Sequence, residues 1–320
     1  MRAAICPTHG PPEVVTIEDR PPPVVEPGQV RVRVEAAAVN FPDVLLIADD
    51  YQVSLPPPFV PGSEFAGVVN DVGCEVTDFA VGDRVTGTSM FGAFAEQVAV
   101  APAMLARIPD GVEASAAACG VAYRTAHHAL RSMARIDVGD ELVVLGAGGG
   151  VGMAAVQLGV ALGAEVTAVA SSAEKLAAAA GYGASRLVNH RDGDLRAQLR
   201  EALPDGAHAV IDPVGGELSE PALRALRRGG RFVTIGYASG VIPRIPLNLI
   251  LVKGIHLLGF QFQDVPPLEF DRNESELRDM LTTGRVAPHV GAVYPLAETA
   301  AALRRVADGC AIGKVLIDLT

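Results

Sequence analysis

The most regular pattern of apolar and polar positions lies between residues 141 and 175. An apolar run at 142–145 predicts a buried strand, clustered glycines follow it, and residues 151 to about 162 show helical periodicity. A second apolar run, 166–170, is rich in β-branched residues and predicts the next parallel strand. Strand, glycine turn, helix and strand within about 30 residues are the context that a dinucleotide-binding turn requires.

The glycines of this turn would let a pyrophosphate approach the backbone where any Cβ atom would clash, and the helix amides would meet its charge. A strict G-x-G-x-x-G motif needs glycine at Ala147, so the run here is Ala147-x-Gly149-x-x-Gly152. The alternative is a buried helix–strand pair with packing glycines. We predict a nucleotide-binding turn formed by Gly148, Gly149, Gly150, Val151 and Gly152.

No charged residue lies between Glu141 and Glu165, an interval long enough to suggest a membrane span. Its many glycines, and the α/β pattern that continues on both sides, argue against one. We therefore predict a soluble chain that does not associate with membranes.

The first 115 or so residues are predicted to be β-rich. Proline-rich breaks separate short alternating runs, for example 30–34, 68–76 and 83–88, as in a barrel or sandwich. The pattern turns helical at 113–133, and βα units then repeat, with strands predicted at 186–189, 207–212, 231–237 and 255–260 and helices at 195–202 and 218–228. Such alternation indicates a doubly wound parallel sheet. A last helix, 296–307, and strand, 314–319, are expected to return to the first domain.

Composition excludes several classes of protein. The chain has 320 residues, enough for two domains. Its net charge of −11 argues against nucleic-acid binding, which needs a basic surface. The four cysteines, Cys6, Cys74, Cys119 and Cys310, show no C-x-x-C spacing and no disulfide framework, so we expect a reducing, cytoplasmic location.

Six short segments resemble the medium-chain dehydrogenase/reductase superfamily, and in particular its zinc-free quinone oxidoreductase branch. They are VNFPD at 39–43, PGSEFAG at 61–67, VGDRV at 81–85, AGGGVG at 147–152, DPVGG at 212–216 and GKV at 313–315. The resemblance spans nearly the whole chain in order. It implies an α/β fold in which a GroES-like, β-rich catalytic domain (1–117 and 257–320) is interrupted by a Rossmann domain with a doubly wound parallel sheet (118–256), usually in a homodimer.

The departures from the superfamily pattern concern zinc. Zinc-containing members place a cysteine and a histidine where this chain has Asn40 and Ser63, and they carry a four-cysteine lobe that is missing here. Without such ligands we predict no metal site, and alcohol oxidation, in which zinc stabilises an alkoxide, is disfavoured. Reduction of a quinone or an α,β-unsaturated carbonyl needs only hydrogen-bond donors.

The tip of the second strand indicates which nicotinamide is used. NAD-binding folds usually have an acidic residue about 20 residues after the glycines, but here the strand ends at Ser171 and Ser172, with Lys175 close behind. These side chains can hold a 2′-phosphate, which favours NADPH over NADH, and Arg191 would add charge. Alternatively, Ser171 and Glu174 form an S-x-x-E capping box, which leaves Ser172 and Lys175 for the phosphate.

The resemblance places Asn40 beside the nicotinamide and Tyr51 towards the substrate, where an amide and a phenol can donate hydrogen bonds to a carbonyl oxygen. Asp43 could orient either of them. The structural alternatives are a turn-forming Asn40 before Pro42, an exposed aromatic at Tyr51 and a surface carboxylate at Asp43.

Further cofactor contacts are predicted at Thr125, Gly236, Tyr237, Ser239 and Phe260. Thr125 resembles a family threonine that touches the nicotinamide, although a helix N-cap is an alternative. Gly236, Tyr237 and Ser239 follow the fifth strand, where ligands of open sheets gather, and Phe260 is either a pocket wall or part of the core. We read His127 and His128 as structural.

These observations predict an NADPH-dependent, zinc-independent reductase of a small quinone or enone, which acts as a homodimer with neither nucleic acid nor membrane as partner. One alternative is an enoyl-thioester reductase acting on acyl-CoA. Another is an NADPH-binding protein without catalysis. An apolar edge strand at 255–260 would be a hazard if left bare, and pairing across a two-fold axis would cover it.

Overall fold

The computed structural model describes the backbone of residues 1–320 and every side chain except that of Ala117. The chain forms two compact units. The first comprises Met1–Val121 and Val290–Thr320, and the second comprises Ala122–His289.

The helices and strands follow one another in this order: β1 (Arg2–Ile5), β2 (Thr16–Asp19), β3 (Val30–Val39), α1 (Phe41–Ala48), β4 (Glu64–Val72), β5 (Arg84–Thr88), β6 (Gln97–Val100), β7 (Leu105–Arg107), α2 (Ala114–Ala117), α3 (Gly120–His128), a π-helical segment (Ala129–Ala134), β8 (Glu141–Leu145), α4 (Gly150–Ala161), β9 (Glu165–Ala170), α5 (Ala173–Gly181), β10 (Arg186–Asn189), α6 (Leu195–Ala202), β11 (Ala207–Asp212), α7 (Ser219–Arg224), β12 (Leu226–Thr234), α8 (Asn248–Lys253), β13 (His256–Leu258), α9 (Pro267–Thr282), β14 (Val290–Pro295), α10 (Thr299–Ala307) and β15 (Lys314–Asp318).

The first unit is built on a seven-stranded sheet. Its order is β14-β15-β3-β4-β5-β7, with β6 also paired to β3, and only β14 and β15 run parallel. In the first half of β3 the valines alternate inward, and Val32 packs with Phe65 and Ile317 in the core. This confirms the predicted β-rich domain, although the proline-rich spacing did not reveal α1.

The second unit is a doubly wound parallel sheet of order β10-β9-β8-β11-β12-β13. The predicted strands Arg186–Asn189 and Ala207–Asp212 and the predicted helix Leu195–Ala202 have the bounds that the structure shows. Strand order reverses at β8, which pairs with β9 on one side and β11 on the other. Ligands of such sheets bind at this reversal, beyond the carboxyl ends of the strands.

The boundary between the two units differs from the prediction. Residues 257–289, predicted to belong to the first domain, are part of the second unit, and the other boundary lies four residues later than 117/118. The reason is α9, which is tied to α3 by a two-pronged Arg124–Glu274 ion pair and by a 3.0 Å hydrogen bond between Asn273 Nδ2 and His128 Nδ1. These contacts join segments about 150 residues apart, so local sequence pattern does not reveal them.

Among the described residues, no helix combines the length and the apolar character that crossing a bilayer would demand. The uncharged interval after Glu141 is divided between β8, the glycine turn and α4.

Candidate active site

The turn between β8 and α4 folds tightly around Gly146. This glycine has a φ of +60°, and its carbonyl accepts a 2.9 Å hydrogen bond from the backbone N–H of Gly149. Ala147 is fully buried and donates its N–H to Val169 O on β9. The left-handed residue is therefore Gly146, which explains why alanine is accommodated at the first position of the fingerprint.

Helix α4 begins against this turn because residue 152 has no side chain. A Cβ atom on Gly152 would lie 2.0 Å from the carbonyl oxygen of Gly146. The N-cap is Gly149, which offers no side-chain acceptor to the first helical amides. The N–H groups of Gly150, Val151 and Gly152 are thus available to an anion, and the helix dipole favours one there.

Basic side chains lie beside the turn, at the ends of β9 and β10. The stem of Lys175 lies over Gly148, where an added Cβ atom would come within 2.5 Å of Lys175 Cγ, and Lys175 Nζ donates to Ser171 Oγ at 3.3 Å. Burial lowers the pKa of His190, and the nearby charges of Arg191 and Lys175 lower it further. Lys175, His190 and Arg191 therefore form one basic cluster near the glycine turn, and only the lysine and the arginine were predicted from the sequence.

The helix that follows β9 is capped differently from the predicted alternative. Ser172, not Ser171, is the N-cap of α5, and its Oγ accepts from the backbone N–H of Lys175 at 3.4 Å. The S-x-x-E spacing of Ser171 and Glu174 is thus one residue out of register with the helix start. Ser171 is left to contact the Lys175 ammonium.

The turns after β11 and β12 meet on the other side of the switch point. Buried Asp212 accepts from the backbone N–H groups of Val214 and Gly215 and from the Ser219 hydroxyl. Gly215 and Gly216 take positive φ values, and added Cβ atoms there would approach Tyr237 Cδ1 at 2.8 Å and Ser239 Oγ at 2.7 Å. The predicted contacts Tyr237 and Ser239, with Gly236 before them, therefore lie in a loop that packs on the DPVGG turn.

Two other predicted cofactor contacts, Thr125 and Phe260, lie in or against helix α3. Thr125 is the sixth residue of α3, which removes the alternative that it is a helix N-cap. Phe260 packs its ring against His128, with centroids 4.5 Å apart, and against Phe262 at 5.4 Å. Its described ring contacts are thus those of an aromatic cluster beside α3, and no contact with the glycine turn is among them.

In the first unit, three adjacent strands bring Asn40, Glu64 and Lys314 together. Asn40 follows β3, Glu64 begins β4 and Lys314 begins β15, and both β4 and β15 run antiparallel to β3. Lys314 Nζ donates to Asn40 Oδ1 at 2.5 Å, Asn40 Nδ2 donates to Glu64 Oε2 at 3.0 Å, and a 3.3 Å ion pair between Lys314 and Glu64 closes the triangle. We call these three residues the amide triangle.

Asp43 lies next to the triangle and is fully buried. Its Oδ2 accepts from the backbone N–H of Asn40 at 2.8 Å, which helps to start α1, while Oδ1 has no hydrogen bond of regular geometry from a described residue. Burial raises the pKa of Asp43 to about 6, against the opposing effects of the Asn40 backbone N–H, the Ser63 hydroxyl and the Lys314 charge. The surface-carboxylate alternative for Asp43 is therefore wrong, because the side chain is enclosed by the core.

Tyr51, a predicted substrate contact, and Cys119, for which no catalytic role was predicted, also lie in this unit. Tyr51 is half-buried just after α1, and no hydrogen bond of its hydroxyl to another described residue is present. Cys119 is buried, and burial raises the pKa of its thiol to about 12. A thiol in that state is a poor nucleophile.

Glu64 and Lys314 were not predicted as site residues, although both stand in segments that carried the family resemblance. A buried lysine and a buried glutamate are rare enough to signal a partner, but only the β15–β3–β4 pairing shows that the partner is Asn40.

No group of three or more His, Cys, Asp or Glu side chains suited to a metal ion occurs in the described part of the chain. A cavity of about 700 Å³ in the second unit lies at the amino ends of the strands, near Glu141, Arg186 and His208. This is the end of the sheet opposite the glycine turn, so the cavity is not the nucleotide site expected for this fold.

Comparisons with known proteins agree with this geometry. Residues 26–110 match the family model of the alcohol dehydrogenase GroES-like domain, and residues 150–280 match that of the zinc-binding dehydrogenase. The mouse quinone oxidoreductase-like protein 2 is 37% identical over 99% of this chain and 92% of its own length. The chain belongs to the quinone oxidoreductase branch of the medium-chain dehydrogenase/reductase superfamily.

Solved structures of this superfamily show the same fold. The Escherichia coli quinone oxidoreductase, determined with NADPH, superposes with a TM-score of 0.91 at 26% identity, covering 99% of this chain and 100% of that one. A mycobacterial protein complexed with NADPH superposes with a TM-score of 0.91 at 30% identity and covers 99% of both chains. The predicted fold, a GroES-like domain with a Rossmann domain, is confirmed, and membership makes the chain an oxidoreductase with a site for a nicotinamide cofactor.

Proposed function

We propose that this protein is an NADPH-dependent, zinc-independent reductase that transfers hydride to a quinone or an α,β-unsaturated carbonyl. The single observation that carries the proposal is the amide triangle. It holds a neutral amide where zinc-containing superfamily members have a cysteine ligand, so this unit offers a hydrogen-bond donor to a carbonyl oxygen in place of a Lewis acid.

The residues of the second unit fit NADPH. The start of α4, which has no side-chain cap, suits the pyrophosphate. Its backbone N–H groups can donate to an anion, and the positive end of the helix dipole favours one there. The cluster of Lys175, His190 and Arg191, with Ser171 and Ser172, suits a 2′-phosphate, and no carboxylate stands at the end of β9 to repel it. The Escherichia coli and mycobacterial relatives described above were both determined in complex with this coenzyme.

NADPH, when bound, supplies a hydride. The chain would bind the acceptor by its carbonyl oxygen, to which Asn40 Nδ2 donates, with Tyr51 as a second donor. A preorganised donor of this kind is worth about 10²- to 10³-fold in kcat, because it meets the charge that develops on oxygen. Asp43 orients Asn40 through the backbone N–H that it accepts. The proton that completes the reduction comes from water.

The test is turnover with competing coenzymes and acceptors. We expect oxidation of NADPH in preference to NADH with small quinones and enones, unaltered by chelators, and a kcat lowered about 100-fold in Asn40→Ala. Faster turnover of enoyl-CoA than of any free enone would select the thioester reductase instead. Tight NADPH binding by calorimetry with no turnover, and no effect of Asn40→Ala, would select a non-catalytic binding protein.

We also propose that the protein is a homodimer formed through the edge of the second unit. Strand β13 lies at that edge, and Leu257 on it is 45% exposed, while Leu251 and Val252 on α8 are 83% and 63% exposed. Edge strands with apolar neighbours invite pairing with a second copy. Light scattering should report twice the mass of one chain, and Leu257→Lys should shift it towards one chain.

A further inference from the structure

The amide of Asn40 is held at both ends by charged groups inside the protein. Asn40 is 8% exposed and Lys314 3%, and the Glu64 side chain is 1% exposed. The second carboxylate oxygen of Glu64 accepts the backbone N–H of Val121, so Glu64 is fixed in turn by a separate segment.

The two charges decide which way the amide faces. An ammonium can only donate, so the atom facing Lys314 must be Oδ1, and a carboxylate can only accept, so the atom facing Glu64 must be Nδ2. If both partners were uncharged groups able to donate and accept, the Asn40 side chain could also adopt the flipped orientation. Oδ1 would then face the carbonyl oxygen of the substrate and repel it. The charged pair removes this ambiguity.

Asn40 Nδ2 carries two hydrogens, and one of them bonds to Glu64. No described residue accepts the second. The Lys314 charge on Oδ1 also polarises the amide, and hydrogen bonds in such a chain strengthen one another by about 10–30%. The Lys314 charge therefore makes the remaining N–H a better donor than it would be if Lys314 were uncharged.

We propose that Lys314 is a positioning residue for the hydride-transfer reaction, which acts by fixing and polarising the Asn40 amide so that its second N–H meets the acceptor oxygen. This inference rests on the proposed function. In that reaction the acceptor gains the hydride of NADPH at carbon, the electron pair of the conjugated carbonyl moves to oxygen, and a proton from water neutralises the oxygen. Lys314 neither gains nor loses a proton; it acts only through Asn40.

The experiment is a double-mutant cycle in which one arm is Asn40 and the other is the charged pair Lys314 and Glu64. Because Lys314→Met alone would leave Glu64 buried without its counter-charge, the variant used is Lys314→Met with Glu64→Gln, which removes both charges. We expect this variant to fold, to bind NADPH with unchanged affinity, and to lose about 10- to 100-fold in kcat, up to the loss seen when one such donor is removed outright. In an Asn40→Ala background the same pair of substitutions should cause no further loss.

Lys253→Met is a matched control. Lys253 also donates two short hydrogen bonds, to the carbonyls of Arg224 and Leu226, but it lies on α8 of the second unit. Its loss should leave kcat unchanged. If the Lys314 and Glu64 substitutions lowered kcat equally in the wild type and in Asn40→Ala, their role would be merely structural. That result would overturn the proposal.

A second measurement does not depend on turnover. In protein labelled with ¹⁵N at asparagine, the Asn40 side-chain signal can be assigned by its disappearance in Asn40→Ala. We expect well-separated, slowly exchanging Nδ2 protons in the wild type and exchange-broadened ones in the Lys314 and Glu64 variant; identical spectra would overturn the proposal. Absence of turnover in the wild type would instead count against the proposed function, while the spectra still test whether Lys314 holds the amide.

Discussion

The glycine turn of the second unit and the amide triangle of the first prepare for their ligands in opposite ways. The turn uses backbone: its shape depends on residues with no side chain, and its basic side chains stand partly in solvent around it. The triangle uses side chains that are almost completely buried, with a full positive and a full negative charge on one neutral amide. Substitutions in the turn should therefore change stability and binding through steric clashes. Substitutions in and beside the triangle should act through electrostatics. Substitutions among the partly exposed basic groups should have smaller effects.

The largest effect is expected at Gly152. In Gly152→Ala the new Cβ atom would lie 2.0 Å from Gly146 O, so helix and strand must separate. We expect a loss of about 3 kcal/mol in the free energy of unfolding, at the upper end for overpacking, and no detectable NADPH binding by calorimetry. Gly181→Ala is the control, because a Cβ atom there meets nothing within 4 Å. Equal stability of the two variants would show that the close approach is not required.

Asp43 tests the electrostatic side of the comparison. Its pKa is raised from 3.8 to about 6 in the folded protein, so between these values the folded state binds more protons than the unfolded state. The stability that comes from the protonated carboxyl is present below about pH 4 and is lost as the pH rises through 6. Asparagine does not titrate, so the free energy of unfolding of Asp43→Asn should not show this fall. Relative to the wild type, it should rise by on the order of 2–3 kcal/mol as the pH increases from 4 to 7. Denaturant unfolding across this range measures it, and a difference independent of pH would contradict the burial effect.

Lys175 tests the basic cluster, which is only partly exposed. Lys175→Met keeps the stem over Gly148 and removes the ammonium. Since a hydrogen bond to a charged group is worth about 1.5–3 kcal/mol, the dissociation constant for NADPH should rise about 10- to 100-fold, while that for NADH stays unchanged. Equal weakening for both coenzymes would mean that Lys175 supports the turn and does not contact a 2′-phosphate.

The smallest effect is expected at Ser172, which both caps α5 and stands beside the proposed phosphate. Ser172→Ala should lower stability by about 1 kcal/mol, and Ser172→Gly by only a few tenths, because glycine is tolerated at the N-cap. If the hydroxyl also binds NADPH, the glycine variant should lose about 5- to 10-fold in affinity, equivalent to one ordinary hydrogen bond. Unchanged affinity in that variant would confine Ser172 to capping.

The second unit was more predictable than the amide triangle for a physical reason. A parallel sheet buries both faces of its strands, so strands such as Ala207–Asp212 appear as continuous apolar runs with well-marked ends. The alternative of a capping box at Ser171 lies one position before the N-cap of α5, because serine is a favourable cap at both 171 and 172 and only the geometry of the turn decides between them. The triangle depends on partners far apart in sequence. The same is true of the α3–α9 contacts, which place residues 257–289 in the second unit and not in the first as predicted.

Strand β15 sits in the interior of the first unit's sheet, between β14 and β3, although Lys314 follows Glu64 by 250 positions. During synthesis, the uninterrupted segment Ala122–His289 emerges before this strand is made. Domains usually fold in order from the amino terminus, but here we expect the later-starting unit to be finished first. The earlier one must wait with an open sheet edge until its missing strand leaves the ribosome, a period in which it is exposed to aggregation and to chaperones.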